Sequence, residues 1–552
     1  MDEELTSKLN ELPENIRSKI AIREHDNIIE ITASEELKND TRAINLITQI
    51  DENGDCTIRY VSPSRFESEF AKYASRTAVG ENEIQQLAID MIARAFHQGA
   101  TDIHIANFGT YAKIRFRILG MLKDDRELDV DTAERMIRTI YEHLGAAQDA
   151  PAFDSISRLD GRIVNRDYLP QGLYSIRIHV EPIEADGVVT GKGTFMPLRL
   201  MHDGSGASGT LEERLAQLGY TSEDVTIPVV GFATKTATAQ TRLFRQLANR
   251  TGIVFISGPT GSGKSTALSH CMEALIEERP TDNFISVEDP PEKPIRGMYQ
   301  IPVVSKEGAD RSAAYTDAIA GTNRDDPDTI MIGEIRYAEA ALATIEAALS
   351  GNAVWSTIHA PDALGIIQRL AVLLRDKLSE PLDTICDPIV LSGLVFQRLI
   401  PRLCPYCKKS ILDDPLDDDL MKRLERVIPY EMIWGTDGKH EGLFRRNFEG
   451  CPHCLSSGHP GLYRQTVVSE VIAVDNMLLS LLRAHKPQEA RSYWLTELHG
   501  MSYFEHARHL IVEGIIAPDM AEEMLCVPID NDLSTYAANK KAGVGRVLSE
   551  AV

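Results

Sequence analysis

The hydrophobic pattern of the chain changes character partway along its length. After a helix-like run that begins at Glu81, the segment 112–118 alternates apolar residues with Lys113, Arg115 and Arg117. This alternation predicts a half-buried strand whose basic side chains share one face. Further alternating strands follow, so we predict a small α+β domain in this part of the chain.

Beyond this domain, continuous apolar runs replace the alternation. Strand-like runs such as Ile253–Ile256 and Ile330–Ile332 are apolar throughout, and helix-like stretches separate them. That pattern is typical of a parallel sheet that is covered by helices on both faces. We therefore predict an α/β fold built on a doubly wound sheet.

Length and composition suggest where these parts meet. At 552 residues the chain is too long for one hydrophobic core. In the N-terminal region Leu5, Leu9 and Leu12 share a helical face, and a packed cap and a docking helix remain alternatives there.

A Gly/Ser-rich stretch is the best candidate for a linker between the α+β and α/β domains. The predicted parts are an N-terminal region at 1–80, the α+β domain at 81–200, the linker at 201–210, the α/β domain at 211–530 with an insertion at 400–470, and a disordered polar tail at 531–552.

The charge balance narrows the possible partners. Lys and Arg total 58 against 82 Asp and Glu, a net charge of −24. Such an excess of negative charge repels polyphosphates, which argues against a motor that tracks nucleic acid. The N-terminus has no apolar leader and no segment approaches the length of a membrane span. We expect a cytoplasmic protein that reaches any membrane through a protein partner.

The run GPTGSGKST carries the most specific chemistry in the chain. It lies between a strand-like and a helix-like apolar run, which is the context of a phosphate loop. Its glycines allow backbone N–H groups to surround a β-phosphate, and the helix N-terminus adds its positive dipole end. Lys264 can reach the β- and γ-phosphates, and the Ser265 hydroxyl can ligate Mg²⁺. The predicted nucleotide-binding residues are Gly258, Pro259, Thr260, Gly261, Ser262, Gly263, Lys264, Ser265 and Thr266.

Three polar residues follow predicted strands at positions where they could act on bound phosphates. Glu288 follows the strand-like run Phe284–Val287, and Glu334 follows Ile330–Ile332. Because ligands of open α/β sheets bind beyond the carboxyl ends of the strands, both carboxylates should face the phosphates. Helix capping is the alternative role for each carboxylate. His359 follows another apolar strand, and the residues alone leave a structural role and a sensing role open.

Four of the eight cysteines form two CxxC pairs, Cys404 with Cys407 and Cys451 with Cys454. In a chain without a leader this spacing favours a four-thiolate zinc site over disulfides. The long stretch between the pairs would be an insertion between two zinc knuckles. Redox-active or buried free thiols remain the alternative. A closed four-cysteine site leaves no open coordination position, so the metal would be structural.

In this order, these motifs resemble the secretion ATPase superfamily that powers type II secretion and type IV pilus assembly, the GspE/PilB group. The resemblance extends from about Glu81 to Leu525. It implies a RecA-like ATPase domain, preceded by the α+β domain and followed by a tetracysteine zinc subdomain and a helical tail. The matching segments are the phosphate loop, an aspartate box at Glu288–Pro290 with Glu292, a Walker B segment from Asp326 to Arg336, a histidine box from Ser350 to Ala363, Gln397-Arg398-Leu399, and Gly461, Arg464 and Glu470.

The resemblance also implies roles for individual residues, a cofactor set and an assembly. Lys264 and Ser265 would bind the phosphates and Mg²⁺ of ATP, Glu288 would be the general base, Glu334 would act on Mg²⁺, and His359 would sense the γ-phosphate. Arg115 and Arg117 would be arginine fingers for the nucleotide of a neighbouring subunit, whereas composition alone leaves a solvated strand face open. Family members form hexameric rings that pass domain motion to an inner-membrane platform protein. The implied cofactors are ATP, Mg²⁺ and structural Zn²⁺.

Four positions depart from the family pattern. Asn352 stands where the family usually has histidine, Tyr337 and Leu119 where it has aspartate, and Ala320 where it has arginine. The phosphate loop and both carboxylates are retained, so we still expect hydrolysis. The departures suggest a divergent branch and leave secondary sensing contacts open.

The leading hypothesis is a hexameric ATPase that assembles a type IV pilus or a pseudopilus. The tetracysteine module favours assembly, because retraction ATPases of the superfamily generally lack it. A type II secretion ATPase is the main alternative. A conjugative DNA-translocating motor and a non-hydrolysing scaffold are further alternatives, opposed respectively by the negative charge and by the intact Glu288 and Glu334.

Overall fold

The computed structural model describes residues 20–25, 28–38, 56–62, 81–146, 152–184, 192–203, 208–227, 230, 234–303, 311–455 and 458–532. The chain divides into two compact units, one of Met1–Met91 with Asp131–Leu144 and one of Ile92–Val130 with Gly145–Val552. The apolar face predicted at residues 5–12 and most of the predicted tail lie outside the described residues.

The first unit contains a three-stranded sheet. Strands β1 and β2 are antiparallel, and β2 and β3 are parallel. Its strands are β1 (Ile20–His25), β2 (Ile28–Ser34) and β3 (Cys56–Val61), with a 3-10 turn at Glu35–Leu37. Among the described residues, the first helices are α1 (Glu81–His97) and α2 (Val130–Thr139), and a π-helical turn at Ile140–Leu144 follows α2.

The second unit contains most of the predicted α+β domain 81–200, including a six-stranded antiparallel sheet in the order β6-β5-β4-β9-β8-β7, whereas residues 81–91 and 131–144 belong to the first unit. The strands of this sheet are β4 (Ala100–Asn107), β5 (Ala112–Ile118), β6 (Met121–Leu128), β7 (Leu159–Ile163), β8 (Leu173–Glu184) and β9 (Lys192–His202), with a 3-10 turn at Arg166–Tyr168. Burial alternates along β5, with Lys113, Arg115 and Arg117 on the less buried face, as predicted. Strand β9 continues into the predicted linker 201–210, and Thr210 caps the next helix.

The same unit contains the α/β domain that the apolar runs predicted. Its seven-stranded sheet has the order β14-β13-β15-β16-β12-β17-β20, and every neighbouring pair is parallel except β17 with β20. The strands are β10 (Val225–Ile227), β11 (Lys235–Ala237), β12 (Gly252–Ser257), β13 (Phe284–Glu288), β14 (Tyr299–Pro302), β15 (Thr329–Ile332), β16 (Ala353–Ile358), β17 (Leu391–Leu403), β18 (Lys409–Ser410), β19 (Phe444–Arg445) and β20 (Leu462–Ala473). The helices are α3 (Leu211–Leu218), α4 (Gln240–Ala248), α5 (Lys264–Glu278), α6 (Arg311–Thr322), α7 (Ala338–Leu349), α8 (Gly365–Leu374), α9 (Pro381–Ile385), α10 (Asp418–Val427), α11 (Tyr430–Trp434), α12 (Pro452–Leu455), α13 (Asn476–Arg483), α14 (Pro487–Thr496), α15 (Tyr503–Val512) and α16 (Pro518–Leu525).

Burial on both faces explains why the central strands are apolar throughout. In β12, Ile253 and Phe255 pack into the core beneath α6, α7 and α8. The alternate residues Val254 and Ile256 pack into the core beneath α3, α4 and α5. Because successive strand residues point to opposite faces, a strand between two helical layers needs apolar residues at every position.

The stretch between the two cysteine pairs packs against the C-terminal helices. Leu420 and Leu424 of α10 belong to the same hydrophobic cluster as Ile511 of α15. Arg423 of α10 also donates two hydrogen bonds to Glu522 of α16, at 2.8 and 2.7 Å. The insertion therefore shares its hydrophobic core with the helical end of the domain.

Among the described helices, none is both long enough and apolar enough to span a bilayer.

The packing of Gly393 against α4 gives a test of the fold. A Cβ at this position would lie 2.5 Å from Leu247 Cδ2 in the core. We expect Gly393→Ala to lower the free energy of unfolding by about 1–3 kcal/mol, because the packed core must shift to admit a methyl group. Urea denaturation of the purified protein measures this loss.

Gly321 is the matched control, because a Cβ there meets nothing within 4 Å and the residue lies in α6. Gly321→Ala should leave stability unchanged or raise it slightly. Equal stability of the two variants would contradict the described packing.

Candidate functional site

The phosphate-loop segment leaves β12 and enters α5 at the carboxyl edge of the sheet. Gly261 and Gly263 have φ of 77° and 82°, in the left-handed region that glycine adopts without strain. Lys264 Nζ crosses the loop and donates hydrogen bonds to Gly258 O at 2.9 Å and Pro259 O at 3.1 Å. The loop therefore has the compact, lysine-bridged form that a phosphate cradle requires, with Ser265 exposed to solvent.

Gln397 of β17 supports this loop from beneath. Its side chain is fully buried, its Nε2 donates to Ser262 O at 2.7 Å, and its Oε1 accepts from the Tyr220 hydroxyl. A Cβ at Gly263 would lie 3.2 Å from Gln397 Nε2, so a glycine suits this close approach. The residues alone did not identify Gln397, which entered only through the family resemblance.

Lys264 is partly buried in the phosphate loop. Burial lowers the pKa of Lys264 to about 8, although the nearby carboxylates of Glu334 and Glu292 oppose this shift. Burial disfavours the charged ammonium, and an anion bound at the loop would favour it. Nucleotide phosphate and the protonated lysine would therefore stabilise each other.

Glu288 ends β13 and is 9% exposed. Its Oε1 accepts hydrogen bonds from Ser286 Oγ at 2.7 Å and Gln300 Nε2 at 2.9 Å. Burial raises the pKa of Glu288, and these two hydrogen bonds partly oppose the rise. A carboxylate with a raised pKa is a stronger base than a solvated one, which is the property that general-base catalysis uses.

Glu334 lies beyond the end of the neighbouring strand β15. The Gly333 N–H donates to Val287 O at 2.9 Å, which ties the Glu334 loop to the end of β13. Glu334 Oε1 is 3.1 Å from His359 Nε2, and its Oε2 accepts from the Arg336 guanidinium at 2.7 and 3.0 Å. The structure thus brings Glu334 and His359 together at the edge where the phosphate loop lies.

The Tyr315 hydroxyl of α6 forms hydrogen bonds at the ends of both β13 and β15. Its hydroxyl accepts from the Glu334 N–H at 3.3 Å and donates to Val287 O at 3.5 Å. Burial raises the pKa of Tyr315 to about 12, so the phenol stays neutral. No motif pointed to this residue.

A buried ion pair holds the loop that follows His359. Glu470 is fully buried, and its carboxylate accepts from the Ala363 N–H at 3.0 Å and from Arg491 Nη1 at 3.2 Å. Arg491 Nη2 also lies 3.1 Å from Asp362 Oδ2. Residues of β20 and α14 therefore anchor the end of the histidine box.

Arg115 and Arg117 share one face of β5, but their described contacts lie within the α+β domain. Arg117 Nη1 donates to Gly120 O at 2.9 Å, and its Nε is 3.9 Å from Asp102. Arg115 is opposite His104 in the strand register. Their action on a neighbouring subunit stays a prediction.

Strand register reveals further arginines on the face that carries Arg117. Arg117 is opposite Asp102, Asp102 is opposite Arg199, Arg199 is opposite Arg177, and Arg177 is opposite Arg162. Directly opposed residues of antiparallel strands point to the same face. The sheet therefore carries a row of four arginines, of which sequence analysis identified one.

Two arginines of this row interact with the α/β domain of the same chain. Burial is the largest cause of the lowered pKa of Lys264, and the positive charge of Arg199 makes a smaller contribution in the same direction. Arg162 Nη2 donates to Pro291 O at 2.9 Å and to Glu292 O at 3.2 Å, in the loop that follows Glu288.

Two residues of the family motifs lie at the opposite, amino-terminal edge of the sheet. Asp328 Oδ2 accepts from the Asn283 N–H at 2.7 Å just before β13, and Asn352 Nδ2 donates to Ala347 O at 3.1 Å just before β16. The Asn352 departure therefore does not alter the carboxyl edge of the sheet.

The other departures lie at helix and turn positions. Tyr337 is the N-cap of α7 and makes no side-chain cap, and Ala320 is exposed on α6. Leu119 has φ of 51° in the β5–β6 turn and packs beside Leu403 and Leu462.

The four predicted metal ligands converge. All four Sγ atoms lie within 4.8 Å of one another, with separations of 3.8 Å for Cys404–Cys451, 3.7 Å for Cys407–Cys454 and 3.8 Å for Cys451–Cys454. Sulfurs about 2.3 Å from a tetrahedral zinc ion would be about 3.8 Å apart, so the cluster has the right dimensions for zinc. The Cys451 and Gly461 N–H groups also donate to Cys454 Sγ, each at 3.1 Å.

Comparison with known proteins gives similarities along most of the chain. The type II secretion system ATPase E of Vibrio cholerae serotype O1 is 29% identical over 407 residues, which cover 72% of this chain and 67% of that protein. The type IV pilus assembly ATPase TfpB of Acinetobacter baylyi is 30% identical over 383 residues, which cover 69% of this chain and 55% of that protein. The X-ray structure of the Legionella pneumophila ATPase DotB aligns with a TM-score of 0.52 and 20% identity, covering 80% of this chain and 95% of that one, which supports the ATPase fold.

The sequence profile of one family, described as type II/IV secretion system protein, matches residues 220–525. The matched segment contains the phosphate loop, both strand-end carboxylates, the histidine loop and the four cysteines. It also covers more than half of the chain. The chain therefore belongs to the type II/IV secretion system protein family and is an ATPase of the group that serves secretion and pilus assembly.

Proposed function

We propose that this ATPase works as a homohexameric motor that assembles a type IV pilus or a pseudopilus through an inner-membrane platform protein. The convergence of Lys264, Glu288 and Glu334 at one sheet edge is the observation that carries the proposal, because it combines a phosphate cradle with two carboxylates. The cysteine cluster favours an assembly motor over a retraction motor. We place the protein in the cytoplasm, peripheral to the inner membrane through its partners.

Each group at this edge has a proposed task in hydrolysis. Lys264 and Ser265 bind the β- and γ-phosphates and Mg²⁺, and Glu334 acts on Mg²⁺. Glu288 takes a proton from the attacking water, which its raised pKa favours. His359 senses the γ-phosphate through its contact with Glu334.

Two arginines of the α+β domain supply positive charge for the transition state of hydrolysis. Arg115 and Arg117 act as fingers on the nucleotide of a neighbouring subunit. Planar guanidinium groups stabilise negative charge on a transferring phosphoryl group, and delivery from another domain couples hydrolysis to domain movement.

Type II secretion is the second candidate function, favoured by the similarity to the Vibrio cholerae ATPase.

We expect Lys264→Ala in the native host to remove surface pili while protein secretion continues, because the phosphate loop loses the positive charge that binds the phosphates. Electron microscopy of the cells and an assay of secreted protein measure the two outcomes together. Lys439→Ala, at an exposed lysine, is the control and should behave like wild type.

Two other outcomes of this experiment contradict a pilus-assembly role. Intact pili with retained exoprotein would make the protein a type II secretion ATPase. Excess pili that fail to retract would make it a retraction motor.

We propose that Cys404, Cys407, Cys451 and Cys454 hold one structural zinc ion. The sulfur separations and the two N–H donors to Cys454 support this assignment. The site holds together the ends of β17 and β20, which are antiparallel neighbours.

Cys404→Ser should release about one zinc ion per chain and destabilise the C-terminal part of the domain, because binding of a structural metal contributes folding free energy. Metal analysis by mass spectrometry of the purified protein checks the loss. Cys526→Ser removes an exposed cysteine outside the cluster and should retain the metal. Zinc content that is unchanged in the Cys404 variant would overturn the assignment.

A further inference from the structure

We propose that Gln300 is a positioning residue for Glu288, and that Arg162 acts through the loop between them to make Glu288 responsive to the α+β domain. The proposal rests on the proposed role of Glu288 as general base. It concerns residues 289–295, called here the base loop, which leave the end of β13 through a cis peptide bond between Asp289 and Pro290.

Gln300 ties Glu288 to the base loop with a single amide group. Its Nε2 donates to Glu288 Oε1 and to Lys293 O, both at 2.9 Å. Its Oε1 accepts from the Ile295 N–H at 2.8 Å. Because the Ile295 N–H holds the amide oxygen, the amide cannot turn that oxygen toward Glu288, and its N–H groups stay directed at the carboxylate.

Arg162 ties the same loop to the α+β domain. Its Nη2 donates to Pro291 O at 2.9 Å and to Glu292 O at 3.2 Å. Its Nε and Nη2 also donate to the buried Ser175 Oγ, at 3.0 and 2.9 Å, and its guanidinium lies 5.6 Å from the Tyr174 ring. The arginine is thus held by its own domain while it contacts the loop.

The hydrogen bonds of Arg162 and Gln300 connect the α+β domain to Glu288 through the base loop. Arg162 contacts residues 291 and 292, the next residue along is Lys293, and the Lys293 carbonyl shares the Gln300 amide with Glu288. A shift of the α+β domain would therefore move the loop and the amide that orients the base. Misplacement of a catalytic group by about 1 Å can cost about 100-fold in rate, so a small shift passed along this path would change the rate of hydrolysis.

The first test removes the amide. In the purified full chain, Gln300→Met should lower kcat for ATP hydrolysis about 10- to 100-fold with little change in KM, because Glu288 loses its orientation. The acidic limb of the kcat/KM profile should also move to higher pH. The Gln300 hydrogen bond favours the carboxylate and lowers its pKa, so its removal raises the pKa and the base is protonated at a higher pH.

Gln240→Met is the matched control for the loss of a buried amide. Gln240 is buried in the same domain, and its Nε2 donates to Ser469 O at 3.1 Å. This variant should leave the acidic limb where wild type has it. A merely structural role of Gln300 would make the two variants alike and would overturn the proposal.

The second test asks whether Arg162 acts through Gln300. Arg162→Met should lower kcat about 5- to 20-fold in the wild-type background but have little further effect in the Gln300→Met background, because the path is already broken. Arg162→Lys should rescue part of the loss, since the lysine ammonium is still a positively charged hydrogen-bond donor. Additive effects of the two Met substitutions would overturn the path.

Glu288→Gln, assayed in parallel, separates the proposal from the function on which it rests. Wild-type turnover in Glu288→Gln would show that Glu288 is not the general base, and it would also overturn the positioning role of Gln300. If Glu288→Gln is inactive while Gln300→Met keeps the wild-type kcat and acidic limb, the base stands and the positioning role of Gln300 is wrong.

Discussion

The parallel pairing of β12, β13, β15 and β16 is the constraint on which the rest of the site depends. Parallel strands end at the same edge, so pairing alone delivers the phosphate loop, Glu288, Glu334 and His359 to one place. The hydrogen bond from Gly333 to Val287 extends that pairing past the end of β15. A register slip of one residue would turn side chains to the other face of the sheet and separate these groups. Their chemistry therefore rests on the apolar packing that fixes the register.

Burial at this edge sets the electrostatics. It raises the pKa of Glu288 and lowers that of Lys264, because burial disfavours the charged form of each group. A phosphate anion favours the protonated lysine, whereas a raised carboxylate pKa favours proton uptake from water. The α+β domain contributes two arginines to this edge. The charge of Arg199 affects the pKa of Lys264 in the phosphate loop, and Arg162 donates a hydrogen bond to the loop that follows Glu288. We propose that these contacts couple movement of this domain to nucleotide chemistry.

Local motifs made much of this site predictable. The phosphate loop, the strand-end carboxylates and the cysteine pairs are each encoded in a few consecutive residues, and apolar runs identified the strands that carry them. Residues whose roles arise from tertiary contacts were not predictable in the same way. Arg162 joins the arginine row only through strand register, and Gln300 and Tyr315 act through side-chain hydrogen bonds to strand ends and loops outside their own elements. The packing of the insertion against the C-terminal helices likewise depends on long-range contacts that no local pattern records.

The identity of the nucleotide retained by Glu288→Gln tests most directly whether the buried strand-end carboxylate is the base. The variant keeps Lys264 and the phosphate loop, so it should still bind nucleotide. After incubation with Mg²⁺ and ATP, and separation from free nucleotide, chromatography of the bound fraction should find ATP in the variant and ADP in wild type. ADP bound to the variant in the wild-type proportion would contradict the assignment and move the base to another residue.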